Sequence, residues 1–173
     1  TGTITVTPTL AGCVGNTESF TITVNPTPQI DAGPDDDICD GDQYTLTANN
    51  PDGANISWDN GVTDGTPFTP GSTTTYTVDA DLNGCTNSDD VTITVNPNPN
   101  YNLAGSDPTT CGGNDGSITV TATGGSPAYQ YSIDGGLTWS TSNVFTGLTA
   151  GVYDIDVQDA NSCPDNISIM VTE

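Results

Sequence analysis

The sequence predicts an all-β protein built as a tandem, elongated array of small antiparallel β-sandwich modules. Three observations carry this: apolar residues recur at period two, turn dipeptides separate those runs at hairpin spacing, and a motif of cysteine, strand and prolines recurs along the chain.

The repeat comes first, because it divides the chain. Ala11-Gly12-Cys13 is followed by Phe20 to Val24 and then Asn25-Pro26-Thr27-Pro28. Asn83-Gly84-Cys85 is followed by Val91 to Val95 and Asn96-Pro97-Asn98-Pro99, and Asn161-Ser162-Cys163 by Ile167 to Val171. The cysteine offsets are 85 − 13 = 72 and 163 − 85 = 78, while Cys39 and Cys111 lie 111 − 39 = 72 apart. On this register residues 1–27 are the C-terminal strands of a truncated module, 28–97 a complete module and 98–173 another. The Asn-Pro-x-Pro segments mark the boundaries. Proline fixes φ and withholds a donor, so such a segment leaves the sheet and stays extended, which predicts short, stiff junctions.

Within the modules the strands follow from alternation. Tyr44, Leu46 and Ala48 alternate with Gln43, Thr45 and Thr47, and Val91, Ile93 and Val95 alternate with Thr92 and Thr94. Ile118, Val120 and Ala122 repeat the pattern, as do Tyr153, Ile155 and Val157 against Asp154 and Asp156, and Ile167, Ile169 and Val171 against Ser168 and Met170. Such strands bury one face and wet the other. Asp52-Gly53, Asn60-Gly61, Gly124-Gly125 and Asp134-Gly135-Gly136 supply the turns.

Composition excludes whole classes of chemistry. The chain has 22 Asp plus Glu, no Lys, no Arg and no His, for a formal charge of -22. Nucleic acid is excluded as a partner, since phosphate contacts need cationic side chains. Lysine Schiff bases, arginine clamps, His-dependent nucleophiles and imidazole zinc sites are excluded as well. No run approaches the ~18 apolar residues of a membrane span, so direct membrane insertion is not expected.

Five cysteines remain. Within the module boundaries they pair as Cys39 with Cys85 and Cys111 with Cys163, leaving Cys13 for a residue upstream of Thr1. Two such staples suit modules with small cores and imply an oxidising, extracytoplasmic setting. Metal-binding thiolates are the alternative, disfavoured by the lack of Cys-x-x-Cys and of histidine. The order Cys39, Trp58, Cys85 has a loose likeness to immunoglobulin domains, without their tyrosine before the second cysteine. Trp58 and Trp139 read as core or partly buried residues, with sugar stacking as the alternative.

The segment Cys111 to Cys163 carries Asn114-Asp115-Gly116-Ser117-Ile118, then Gly124-Gly125-Ser126-Pro127-x-Tyr129-x-Tyr131-Ser132-Ile133-Asp134-Gly135-Gly136, then Phe145-x-Gly147-Leu148-x-Ala150-Gly151-x-Tyr153. In that order these elements resemble the SprB repeat of Bacteroidota surface proteins, with Ser162 in place of the usual glycine. Residues 28–97, with Asp31-Ala32-Gly33, Ile38-Cys39-Asp40-Gly41-Asp42, Trp58 and Thr74 to Val78, are similar to the PKD-like or Ig-like repeats of the same proteins. The resemblance implies a non-enzymatic segment of a giant adhesin, exported by type IX secretion and attached at the outer-membrane surface. It would be moved by the gliding machinery while gripping a polysaccharide or solid surface, with the other modules of its own chain as partners. Similar repeats also serve as spacers or carbohydrate-binding segments of secreted multidomain hydrolases, and that reading stays open.

Three constellations could carry chemistry. Asp79, Asp81, Asn83 and Asp90, with Gly84 at the bend, follow the spacing of an EF-hand-like calcium loop. Against it, strands rather than helices flank the loop and Asp replaces the bidentate Glu, so an Asp-x-Asn-Gly hairpin turn is the alternative. Asp35-Asp36-Asp37, with Asp31, Asp40 and Asp42, could hold an inter-module cation or be a solvated acidic loop. Asp154 and Asp156 share a strand face at about 7 Å, a separation compatible with inverting glycoside hydrolysis, but any alternating strand supplies such a pair. Asn55-Ile56-Ser57 and Asn166-Ile167-Ser168 match the N-glycosylation pattern, read here as chance.

Overall fold

The structure, a computed structural model, describes residues 1–171. The side chains at 166–168 and 171 fall outside the description, and with them the inward places expected of Ile167 and Val171 and the side chain of Asn166. Among the described residues there are fourteen strands and no helix.

The chain opens with a long hairpin. Gly2–Val6 (β1) pairs with Glu18–Ile22 (β4), and Thr9–Leu10 (β2) continues it against Cys13–Val14 (β3). Every residue from 1 to 27 is exposed.

The second unit is a four-stranded sheet in the order β5-β8-β7-β6, formed by Asp36–Cys39 (β5), Asn55–Trp58 (β6), Thr74–Leu82 (β7) and Cys85–Asn96 (β8). Tyr76, Val78, Val91 and Ile93 point inward from β7 and β8 to a core shared with Ala32, Leu46 and Trp58. Two expectations are corrected here. The sheet is not wholly antiparallel: β5 runs parallel to β8, with Cys39 level with Asn96. Residues 43–48 form no regular strand either. They bury Leu46 as the alternation requires, and Tyr44 and Ala48 pack at the edge of the core. Their backbone, however, is bonded piecemeal, by a bridge from Tyr44 to Phe68, by Ala48 N–H to the Asp64 carboxylate and by Gly65 N–H to the Leu46 carbonyl.

The third unit is a sandwich of two three-stranded antiparallel sheets. Pro99–Ser106 (β9), Gly116–Gly124 (β10) and Val144–Leu148 (β12) make one, in the order β12-β10-β9. Gln130–Ser132 (β11), Gly151–Gln158 (β13) and Pro164–Val171 (β14) make the other, in the order β11-β13-β14. Ile118, Val120, Tyr131, Leu148, Ile155 and Val157 fill the space between them.

The two cores share no residue. The chain exposes 10222 Å², whereas a compact monomer of 17.7 kDa would expose about 7,900 Å². The excess is what a string of small units leaves to solvent.

Candidate functional site

The structure concentrates its distinctive chemistry at the junction between the second and third units. Alternation drives β8 straight to Asn96. Pro97 then removes a ladder donor, and Pro99 restarts a strand with its ring fully buried. Around this short link the ends of both units interlock. Asp40 N–H donates to the Asn96 carbonyl (2.8 Å), Asn98 Nδ2 to the Asp40 carbonyl (3.0 Å), and Asn96 Nδ2 to the Asp37 carboxylate (3.0 Å). From the third unit, Asn161 Nδ2 donates to Asn96 Oδ1 and to the Ser126 hydroxyl, each at 2.9 Å.

The cystine of this structure lies in the same place. Cys39 is bonded to Cys163, with Cα atoms 5.4 Å apart and a sequence separation of 124. Neither Cys39–Cys85 nor Cys111–Cys163 forms, and the reason is geometric. Cys39 is level with Asn96, while Cys85 starts the same 12-residue strand, so the two lie about 36 Å apart along β8. A disulfide needs Cα atoms within about 7 Å. In the third unit Cys163 belongs to the hairpin end beside Pro99, whereas Cys111 lies beyond the far end of the 8-residue β9, about 23 Å away. The second and third units thus each carry one cysteine at each end, so neither pair closes within its own unit. Cys13, whose expected partner is upstream, is exposed on β3.

Asp159 shapes the loop that presents Cys163. It is 5% exposed, and Oδ1 accepts from the N–H groups of Asn161 (2.9 Å) and Cys163 (3.0 Å), while Oδ2 accepts from Ser126 N–H (2.7 Å). In a chain without cations, N–H donors take the place of a counter-ion for this buried carboxylate. In the sequence, the Asp-x-Asn spacing of Asp159 and Asn161 is the signal of such a self-bonded turn.

The calcium candidates do not converge. Asn83 and Gly84, both at positive φ (56° and 80°), close a two-residue turn between β7 and β8. Asp81 Oδ1 accepts from Gly84 N–H at 3.0 Å. Asp79 and Asp81 then project from an extended strand, and Asp90 is level with Thr77, about 20 Å along the hairpin from Asn83. Ligands of one ion need to lie within about 2.6 Å of it. The Asp35-Asp36-Asp37 carboxylates are engaged locally: Asp35 accepts from Thr92 N–H, Asp36 from the Tyr44 hydroxyl and Asp37 from Asn96. Among the described residues no group of three or more His, Cys, Asp or Glu is arranged to hold a metal ion.

Asp154 and Asp156 share a face of β13, next to the loop at Asp134. Burial raises the Asp156 pKa, helped by the charges of Asp154 and Asp134, and its Oδ2 has no hydrogen-bond partner. Asp134 is held down to about 2, chiefly by the Thr138 hydroxyl and then by Thr138 N–H and the Ser132 hydroxyl. Tyr101 is pushed up to about 12 by burial and by Asp165 and Asp156. Trp58 is a core residue whose indole N–H donates to Asp64 at 2.9 Å. Trp139 is 39% exposed beside Leu137, itself 83% exposed.

No curated protein matches the chain. Among solved structures, the eight N-terminal Ig domains of the Down Syndrome Cell Adhesion Molecule align with a TM-score of 0.52 at 12% identity, over 99% of this chain and 31% of that one. The I67–I69 fragment of titin aligns at 0.44 and 15% identity, over 86% and 66%. The C-terminal fragment of intimin, solved with an intimin-binding domain, aligns at 0.49 and 13% identity, over 86% and 64%. The chain therefore spans about a third of the adhesion-molecule structure. The fold is that of tandem immunoglobulin-like modules, and residues 105–138, from the end of β9 to the loop before Trp139, match the SprB repeat.

Proposed function

We propose that the chain is a non-catalytic filament segment of a secreted cell-surface adhesin, used in attachment and gliding, whose work is to hold binding surfaces away from the cell. Residues 1–27, 28–97 and 98–173 are its modules, the first being the last hairpin of a preceding one. The observation that carries this reading is the Cys39–Cys163 bond, which ties the second unit to the third. The match of residues 105–138 to the SprB repeat supports the adhesin setting. A cystine supports an extracellular one. The charge of -22 keeps neighbouring filaments apart.

Polysaccharide is the class of surface such a segment would grip, and the exposed Trp139 offers the aromatic face on which a sugar ring stacks. Weak contacts of this kind add up over many modules. The test is a glycan array probed with the oxidised chain and with Trp139→Ala. Binding that the substitution abolishes supports direct recognition; a blank array for the parent chain overturns it and leaves the segment a spacer.

A further inference from the structure

The first hairpin and the β7–β8 hairpin are the same object in different surroundings. Ile4 pairs with Phe20, and Gly2 with Ile22, as Tyr76 pairs with Val91 and Thr74 with Ile93. In the second unit Tyr76, Val78, Val91 and Ile93 are at most 5% exposed, while their counterparts Ile4, Val6, Phe20 and Ile22 are 43–52% exposed. The face is built to be covered, as Ala32 and Leu46 cover the inward side chains of β7 and β8.

The two junctions are built alike as well. Asn25 precedes a fully buried Pro28, as Asn96 precedes a fully buried Pro99. Each asparagine meets the hairpin tip of the following unit: Asn25 Nδ2 donates to the Asn83 carbonyl at 3.2 Å, and Asn161 donates to Asn96 at 2.9 Å. At the second junction Cys39 lies level with Asn96 and is bonded to Cys163. At the first, the repeat-equivalent Cys85 has its Sγ 3.6 Å from the Asn25 carbonyl. A β5-like strand laid on β4 in the register that β5 adopts on β8 would bring its last residue level with Asn25, within reach of Cys85.

We infer that Cys85 is the receiving half of a second inter-module cystine, formed with the first cysteine of the module whose last hairpin is residues 2–22. The linking rule is that the first cysteine of each module joins the second cysteine of the next, so the array is a continuous covalent ladder. This rests on the filament reading above. The chemistry is thiol–disulfide exchange with an extracytoplasmic disulfide oxidase. The first thiol forms a mixed disulfide with the oxidase, and the Cys85 thiolate then attacks the partner cysteine's sulfur and expels the oxidase thiolate. Two protons and two electrons pass to the oxidase, which leaves as a dithiol.

The experiment is peptide mapping of the full secreted protein, alkylated and digested without reduction. An Asp-directed protease is required, since the chain offers trypsin no Lys or Arg. Cys85 then lies in the fragment Asp81–Ser88, Cys39 in Asp37–Cys39 and Cys163 in Asp159–Pro164. The inference expects Asp81–Ser88 disulfide-linked to a fragment from the adjoining upstream module. Recovery of Asp81–Ser88 alkylated, or linked to any other cysteine, overturns it. That outcome alone leaves the filament reading standing, because Asp37–Cys39 linked to Asp159–Pro164 is scored in the same digest.

Discussion

At the scale of single residues, carboxylates do the work that cations share in most proteins. Asp134 accepts from the Thr138 hydroxyl (2.6 Å), Thr138 N–H (2.9 Å) and the Ser132 hydroxyl (2.7 Å). These bonds favour the ion, so the stability it contributes is present above its ordinary pKa of 3.8 and is lost as pH falls from there towards about 2. Asp115, lowered by the Thr109 hydroxyl and then by Thr109 N–H, acts in the same direction. Asp156 opposes them, because its raised pKa means that ionisation above 3.8 costs stability. Thermal melts from pH 5 to about 2 should show the third unit weakening, and Asp134→Asn should flatten that slope without abolishing it. Asp159→Ala should cost about 2–3 kcal/mol, since three N–H groups near a buried loop lose their acceptor. Calorimetry reads that loss as a lower melting temperature for the third unit alone.

At the scale of elements, alternation told which residues face inward but not how each backbone is satisfied. Val91, Ile93, Ile118, Val120, Ile155 and Val157 all lie in the cores where period two puts them. Leu46 does too, yet residues 43–48 form no ladder, because Asp64 and nearby carbonyls satisfy groups that another strand would otherwise bond. The aspartates of β7 match a calcium spacing in sequence and a hairpin in space, and the Asn83-Gly84 turn decides between them. Gly84→Ala should therefore cost about 1–2 kcal/mol through its positive φ. Calcium and EDTA should give the same melting temperature for the parent chain; a rise with calcium would contradict the extended hairpin.

At the scale of the whole molecule, the sequence did not reveal how the cysteines pair. Cysteine spacing along a chain is silent about which end of a sandwich each residue occupies. Sorting the cysteines by module therefore paired Cys39 with Cys85, when the length of β8 holds them at opposite ends. With Cys39 bonded to Cys163, the junction is closed by a covalent bond as well as by Asn96, Asn98 and Asn161. Pulling the chain by its ends reads this most directly. The chain between the bonded cysteines, a sequence separation of 124, cannot extend while the bond is intact, so reduction should release about 41–45 nm of additional contour length. Release of only about 33 nm, the length shielded by separate Cys39–Cys85 and Cys111–Cys163 loops, or no change on reduction, would contradict the inter-module staple.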